Sequence, residues 1–90
     1  MKKARIEIGN IVREYREKAK MTQMELAGKL GYDSPQFVSI FERGLSSVPV
    51  NTLGRLISLL GIPEKRVLDI LLKSYKAQTI FQLDEGKRRA

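Results

Sequence analysis

The sequence predicts an all-α fold of five helices in a single domain of 90 residues. Apolar residues recur at spacings of three and four, which is the period of a helix with one buried face. Glycine and proline residues separate these segments at positions where helices commonly end and begin. The chain has no internal repeat, low-complexity tract or linker, so we expect the helices to form one compact unit.

The first helix is predicted from about residue 6 to residue 19. Its apolar residues are spaced by four, three and four positions and therefore share one side of a helix. They are Ile8, Val12, Tyr15 and Ala19, with Ile11 beside them and Met21 at the end of the stripe.

The second helix is predicted to begin after Thr22, which forms a Thr-x-x-Glu capping box with Glu25. In such a box the hydroxyl accepts a hydrogen bond from a first-turn amide, and the carboxylate accepts one from the amide of the threonine. The apolar residues that follow are Leu26, Ala27 and Leu30. Gly31 is then expected to end the helix in a left-handed conformation.

The third helix is predicted to begin with Ser34 as its cap and Pro35 as its first residue, where a proline loses no hydrogen bond. Val38 and Phe41 are expected on its buried side, and Gly44 at its end. The residues that point elsewhere are Gln36, Phe37, Ser39 and Ile40. When a helix lies in the major groove of DNA, outward residues near its beginning reach the base edges.

Residues 45–49 are predicted to form a loop before the last two helices. The fourth helix contains an apolar stripe and ends at Gly61. The stripe consists of Leu53, Leu56, Ile57 and Leu60. Pro63 opens the fifth helix, which we expect to reach residue 83, and the polar residues 84–90 are expected to form a flexible tail.

The segment from Thr22 to Gly44 resembles the helix-turn-helix of the phage-repressor family, of the lambda-repressor-like or xenobiotic-response-element type. The resemblance covers residues 6–62 and rests on Gln23, Ala27, Gly31, Val38 and the Glu42-Arg43-Gly44 stop. It implies a compact five-helix lambda-repressor-like DNA-binding domain that binds operator DNA as a two-fold dimer. We therefore expect a DNA-binding core at residues 1–62, with its motif at 22–44, and an extended C-terminal helix at 63–83 that serves dimerisation.

The resemblance implies that Gln36, Phe37 and Ile40 lie at the DNA groove and Gln23 near a phosphate. The other predicted contacts are Ser34 and Ser39 for bases, and Arg43, Ser46 and Ser47 for phosphates. Gln36 can bond the N6 and N7 atoms of adenine, and apolar side chains can meet thymine methyl groups. The alternatives are an exposed Gln36 without a partner, Phe37 and Ile40 in the core, and Arg43 as a plain helix cap.

Two positions depart from the family pattern. The segment between Leu30 and Glu42 is one residue longer than usual, and we place the extra residue in the turn at 32–34. A longer turn shifts the start of the reading helix, so the base-reading positions can be displaced by one residue. Lys20 stands where the family often has glycine.

The net charge of +7 and the pI near 10.0 favour a polyanionic partner. Residues 1–20 and 63–90 carry the excess of Lys and Arg, whereas residues 21–62 are neutral. We therefore expect the attraction to phosphates to come from the two ends and the first helix, while the reading helix contributes specific contacts. The alternative is that the basic ends are only solvated tails.

The fifth helix has more apolar surface than contact with one core requires. We predict that this surface pairs with a second copy in a homodimer, since two recognition helices about 34 Å apart can enter successive major grooves. The predicted interface consists of Val67, Leu68, Leu71, Leu72 and Tyr75, with Ile80, Phe81 and Leu83 extending it. The alternative is that these residues pack onto their own domain.

The chain contains no Cys and no His, which removes the common zinc ligands and the commonest general base. We therefore expect no catalytic site, no metal and no cofactor. No apolar run is long enough to cross a bilayer, and no signal core follows the lysine-rich start. The expected location is the cytoplasm, on the nucleoid if the source is a prokaryote.

The sequence thus predicts a sequence-specific regulator that binds double-stranded DNA, without a separate ligand-sensing domain. Repression of transcription from an inverted-repeat operator follows from the resemblance. The alternative is a protein-interaction module, such as an antitoxin or an adaptor, that keeps the helical fold with little or no DNA reading. The neutral middle of the chain and the apolar pair Phe37 and Ile40 favour this alternative.

Overall fold

The computed structural model describes residues 2–90. Five helices follow one another in this range, and the predicted all-α fold is confirmed. They are α1 (Lys2–Lys18), α2 (Gln23–Lys29), α3 (Gln36–Glu42), α4 (Val50–Leu60) and α5 (Glu64–Arg88).

Helix α1 begins earlier than predicted, because the buried side extends back to Ala4. At its other end, Lys20 has a left-handed φ of 56°. The amide of Met21 donates to the carbonyl of Arg16 at 3.1 Å, which is the bond of a Schellman motif. Since glycine adopts this conformation at least cost, the position explains why a glycine is common there in the family that the chain resembles.

Both ends of α2 have the predicted caps. The amide of Glu25 donates to the hydroxyl of Thr22, and the amide of Thr22 donates to the carboxylate of Glu25, each at 3.0 Å. Gly31 has a φ of 86°, and the amide of Tyr32 donates to the carbonyl of Ala27 at 2.9 Å. The capping box and the glycine stop are therefore confirmed.

Helix α3 begins one residue later than predicted. Pro35 has a ψ of 0°, which is a turn conformation, so Pro35 rather than Ser34 is the capping residue. The hydroxyl of Ser34 still accepts a hydrogen bond from the amide of Gln36 at 3.4 Å. Residues 30–35 thus separate α2 from α3, and Gly44 follows the end of α3 with a φ of 68°.

One apolar core contains residues from the first four helices and from the beginning of α5. Val67 is 3% exposed and belongs to this core, so the folded chain leaves almost none of its surface for the predicted dimer interface. Periodicity identifies apolar residues on a helix but not which of them face their own domain. Leu71 also packs against the core while remaining partly exposed. Leu68, Leu72 and Tyr75 are exposed.

Helix α5 extends to Arg88, past the predicted end at residue 83. Ion pairs between successive turns accompany the extension, Asp84 with Lys87 and Glu85 with Arg89, both at 3.8 Å. Only Val67 of this helix is buried, and the chain measures 52 × 25 × 18 Å, so most of α5 lies outside the core. Within residues 2–90, no helix has the length and apolar character needed to span a membrane.

Candidate nucleic-acid interface

Helix α3 has a buried side and an outward side, as predicted. Val38 and Phe41 are buried. Gln36, Ile40 and Arg43 are spaced by four and three positions and therefore share the other side. Gln36 and Arg43 are exposed, and Ile40 is half-buried. The division of the helix is confirmed, whereas contact of these residues with bases stays a prediction.

Phe37 lies at the edge of the outward side, next to the turn between α2 and α3. Its ring stacks on Tyr32 with the ring centroids 4.6 Å apart and an interplanar angle of 26°. Phe37 nevertheless stays 50% exposed. The stacking, together with the Phe41 ring at a centroid distance of 6.5 Å, holds the Phe37 ring in place. The exposed half of Phe37 has the chemistry to meet a thymine methyl group or an apolar protein surface. Of the two predicted serines, Ser34 is exposed and Ser39 is half-buried.

Three of the predicted phosphate contacts lie in the segment that follows α3. Arg43 is exposed, and its Nε donates to the carbonyl of Ser39 at 3.3 Å. Ser46 and Ser47 are exposed, and the hydroxyl of Ser46 donates to the carbonyl of Ser47 at 3.3 Å.

Across residues 2–90, no group of three or more acidic side chains is placed to hold a metal ion.

The fourth predicted phosphate contact, Gln23, is part of a buried polar cluster around Glu42. The Glu42 side chain is 0% exposed. Arg16 donates to both of its carboxylate oxygens, from Nε at 2.6 Å and from Nη2 at 3.1 Å. Gln23 Nε2 donates to Oε1 at 3.0 Å, and Arg13 Nε reaches the same oxygen at 3.5 Å. The cluster therefore ties α1 and the start of α2 to the end of α3.

The charges in this cluster support one another. Burial raises the pKa of Glu42, but hydrogen bonds from Arg16 and Gln23 and the charge of Arg16 outweigh burial and hold the pKa below its usual value. The hydrogen bond with Glu42 raises the pKa of Arg16. Sequence reasoning missed this cluster. An acidic residue in the last turn of a helix opposes the helix dipole, and that was the signal that Glu42 needs a cationic partner.

Helix α1 crosses the end of α3 at Gly9. A Cβ atom on Gly9 would lie 2.3 Å from the carbonyl oxygen of Phe41 and 2.9 Å from that of Glu42. A Cβ atom on Gly44 would lie 2.8 Å from Cγ1 of Ile6. Glycine inside a helix is unfavourable and often marks a close packing contact. These two contacts fix the position of α3 relative to α1.

Arg55 of α4 holds the end of α2, where the turn between α2 and α3 begins. Its Nη1 donates to the carbonyl of Leu30 at 3.1 Å, and its Nη2 donates to that of Lys29 at 3.2 Å. These carbonyls lie at the end of α2, where helical partners are lacking. Arg55 was not predicted as a structural residue, because the residues that it joins are distant in sequence. Its side chain anchors the start of the turn that leads into α3.

The fold and this surface define a helix-turn-helix protein. A protein-family model described as a helix-turn-helix domain matches residues 7–69. This match covers more than half of the chain, and the protein therefore belongs to the helix-turn-helix domain family, a family of DNA-binding proteins. No curated protein and no solved structure matches the chain. The narrower assignment to the phage-repressor type stays a prediction.

Proposed function

We propose that this protein is a sequence-specific transcriptional regulator that reads double-stranded DNA with α3. The observation that carries the proposal is the exposed Gln36 on a helix whose far end is fixed by Glu42 and Arg16. The major groove admits one α-helix, and the first residues of such a helix contact the base edges. Membership of the helix-turn-helix family supports DNA as the partner.

The proposed contacts divide into two sets. Ser34, Gln36, Phe37, Ser39 and Ile40 meet the bases, and Arg43, Ser46, Ser47 and Gln23 meet phosphates. Gln23 contributes least to the second set, because its amide nitrogen is already bonded to Glu42. Phosphate contacts position the protein on the duplex, and base contacts provide the sequence preference.

The regulator acts as a homodimer that represses transcription from an inverted-repeat operator. The exposed apolar residues of α5 support dimerisation, with Leu72 58% exposed and Tyr75 69% exposed. Two-fold symmetry of the protein requires a two-fold repeat in the DNA, with half-sites about one helical turn apart. Repression follows from occupation of an operator that overlaps a promoter.

Selection of binding sites from randomised duplex DNA at near-physiological salt tests the proposal. We expect an enriched inverted repeat, and a weaker preference when the Gln36→Ala variant is put through the same selection. Retention of DNA without any enriched sequence would contradict sequence-specific reading. If the wild-type protein retains no DNA, the proposal fails altogether.

A protein-interaction module, such as an antitoxin or an adaptor, is the second candidate function. The half-exposed Phe37 favours it, because an aromatic side chain beside Ile40, in a sequence segment without net charge, also suits an apolar partner. Salt separates the two functions. DNA binding that neutralises Z phosphates weakens with a log-log slope of about −0.9Z, whereas an apolar protein contact responds little to salt.

A further inference from the structure

Basic residues on α1 form a row on the side that faces α3. The spacings between Lys2, Arg5, Gly9, Arg13 and Arg16 are three, four, four and three, so these residues share one side of the helix. Gly9 is the residue at which α1 touches the end of α3. We call the four cations on this side the α1 basic row: Lys2, Arg5, Arg13 and Arg16.

The α1 basic row carries more charge than its surroundings neutralise. Within residues 2–90, Glu42 is the one carboxylate that forms ion pairs with the row. Arg16 forms the closer ion pair with Glu42, and its side chain is 12% exposed. The Nε atom of Arg13 lies 3.5 Å from a carboxylate oxygen of Glu42, and the Arg13 side chain stays 46% exposed. Four cations against one carboxylate leave three positive charges beside the reading helix.

Arg5 is the member of the row that most needs a partner. Its Nε atom is buried and has no hydrogen-bond partner among residues 2–90. A buried donor without an acceptor is unfavourable, more so in a charged group. A Cβ atom on Gly44 would lie 2.9 Å from Cα of the next residue, Ile6, so Arg5 lies beside the segment that follows α3. Residues 44–49 of that segment contain no Lys or Arg.

We propose that the α1 basic row binds the phosphate backbone of duplex DNA beside the groove that α3 enters. Within residues 2–90, the exposed Lys2 and the half-buried Arg5 form no ion pair, and Arg13 extends the row towards the Glu42 cluster. The row is roughly 16 Å long from Lys2 to Arg13 at 1.5 Å per residue. It therefore covers several phosphates, since each strand carries one charge per about 3.4 Å of helix axis. This proposal rests on the proposed DNA-reading function and adds the element that supplies the electrostatic contact.

Lys2→Gln and Arg5→Gln test the proposal, with Lys3→Gln as the matched control. Each change removes one positive charge from the first two turns of α1. Lys3 belongs to a different side of the helix, where it lines a groove together with Ile70 and Phe81 of α5. Dissociation constants are measured on a mixed-sequence duplex between about 50 and 200 mM salt, because phosphate contacts do not depend on sequence.

We expect Lys2→Gln and Arg5→Gln each to reduce the magnitude of the log-log salt slope by about 0.9. Between about 50 and 200 mM salt, the factor by which affinity for DNA falls should then be roughly 3.5 times smaller than in the wild type. Lys3→Gln should leave the slope unchanged. Equal effects of all three variants would overturn the proposal, because total charge rather than placement would then matter. Unchanged slopes for Lys2→Gln and Arg5→Gln would overturn it too. The row would then serve only to neutralise the partial negative charge at the C-terminal end of α3.

The two proposals fail in distinguishable ways. If Gln36→Ala loses sequence preference while Lys2→Gln and Arg5→Gln have no effect, the proposed DNA reading by α3 is supported. The proposed role of the α1 basic row is then overturned. A wild-type protein that binds no duplex overturns both. Thermal unfolding followed by circular dichroism shows whether each variant is folded. We expect Arg5→Gln to unfold no earlier than the wild type, because the Nε atom that it removes has no hydrogen-bond partner among residues 2–90.

Discussion

Among single residues, Glu42 ties α3 to two other helices. Its buried carboxylate accepts hydrogen bonds from Arg16 and Gln23, which belong to two other helices. Removal of one partner of a buried ion pair costs about 3–5 kcal/mol, because the other charge is left without compensation. A domain of this size has only about 5–15 kcal/mol of total stability. The orientation of α3 therefore depends on this carboxylate as well as on the close packing at Gly9 and Gly44.

The lowered pKa of Glu42 predicts loss of stability in acid. Because the pKa in the folded protein lies below its ordinary value of 4.5, the unfolded chain takes up the proton first. The contribution to the free energy of unfolding is complete above about pH 4.5 and is lost as the pH falls through the folded-state pKa. We expect urea unfolding at a series of pH values to show less acid sensitivity in Glu42→Gln than in the wild type.

Other carboxylates contribute to the acid sensitivity of both proteins. Hydrogen bonds lower the pKa of Glu14, through Lys18, and of Glu25, through the backbone amide of Thr22. The relevant quantity is therefore the difference between wild type and Glu42→Gln. Glu64→Gln, at an exposed position of α5, serves as the charge-matched control. The same acid sensitivity in Glu42→Gln and Glu64→Gln would contradict the role assigned to Glu42.

Gln36 and Arg43 are expected to affect DNA binding in different ways. Gln36→Ala should remove about 1–3 kcal/mol of preference for the best site and leave non-specific binding nearly unchanged, since a bidentate contact with adenine is lost. Arg43→Ala should weaken binding to all sequences alike and reduce the salt slope by about 0.9. Titrations of a selected and a scrambled duplex measure both effects. An equal loss on the two duplexes in Gln36→Ala would rule out base reading by this residue.

At the scale of helices, the contact between α1 and α3 depends on the missing side chain of Gly9. Gly9→Ala would place a methyl group 2.3 Å from a backbone oxygen, so the two helices must separate. Overpacking of this kind lowers the free energy of unfolding by about 1–3 kcal/mol. The better helix propensity of alanine raises it by at most about 1 kcal/mol. We expect a lower melting temperature for Gly9→Ala in thermal unfolding.

Gly28→Ala is the matched control for this prediction. Gly28 lies in α2, and a Cβ atom there would have nothing within 4 Å. Alanine at this site should stabilise the protein by up to about 1 kcal/mol through helix propensity alone. A melting temperature that rises equally in both variants would show that α1 and α3 are not held by this contact.

Local signals in the sequence predicted where α2 begins and where α2, α3 and α4 end, whereas distant contacts were not predictable. The capping box at Thr22 and the stop at Gly31 act over a few residues, and both were identified correctly. The hydrogen bond between Arg16 and Glu42 joins residues 26 positions apart, which periodicity does not reveal. The same limit explains Val67, since the apolar pattern of α5 does not distinguish the domain's own core from a partner.

At the scale of the whole molecule, α5 has an apolar side that no other part of residues 2–90 covers. Leu68, Leu72 and Tyr75 are spaced by four and three positions, and Leu83 continues the same side two turns later. All four are exposed, by between 46% and 69%. Monomers rarely leave a large continuous apolar surface in water, which supports pairing of this side with a second copy.

Leu72→Glu tests whether this side of α5 forms the dimer. We expect light scattering to give the wild type twice the 10.3 kDa mass of the single chain, and the variant the mass of one chain, because a carboxylate is strongly disfavoured inside an apolar interface. Val50→Glu, an equally drastic change at the exposed start of α4, should leave the mass doubled. Since a separated monomer engages one half-site at a time, Leu72→Glu should also bind an inverted repeat no better than a single half-site. A doubled mass in a folded Leu72→Glu protein would show that the chains associate through another surface.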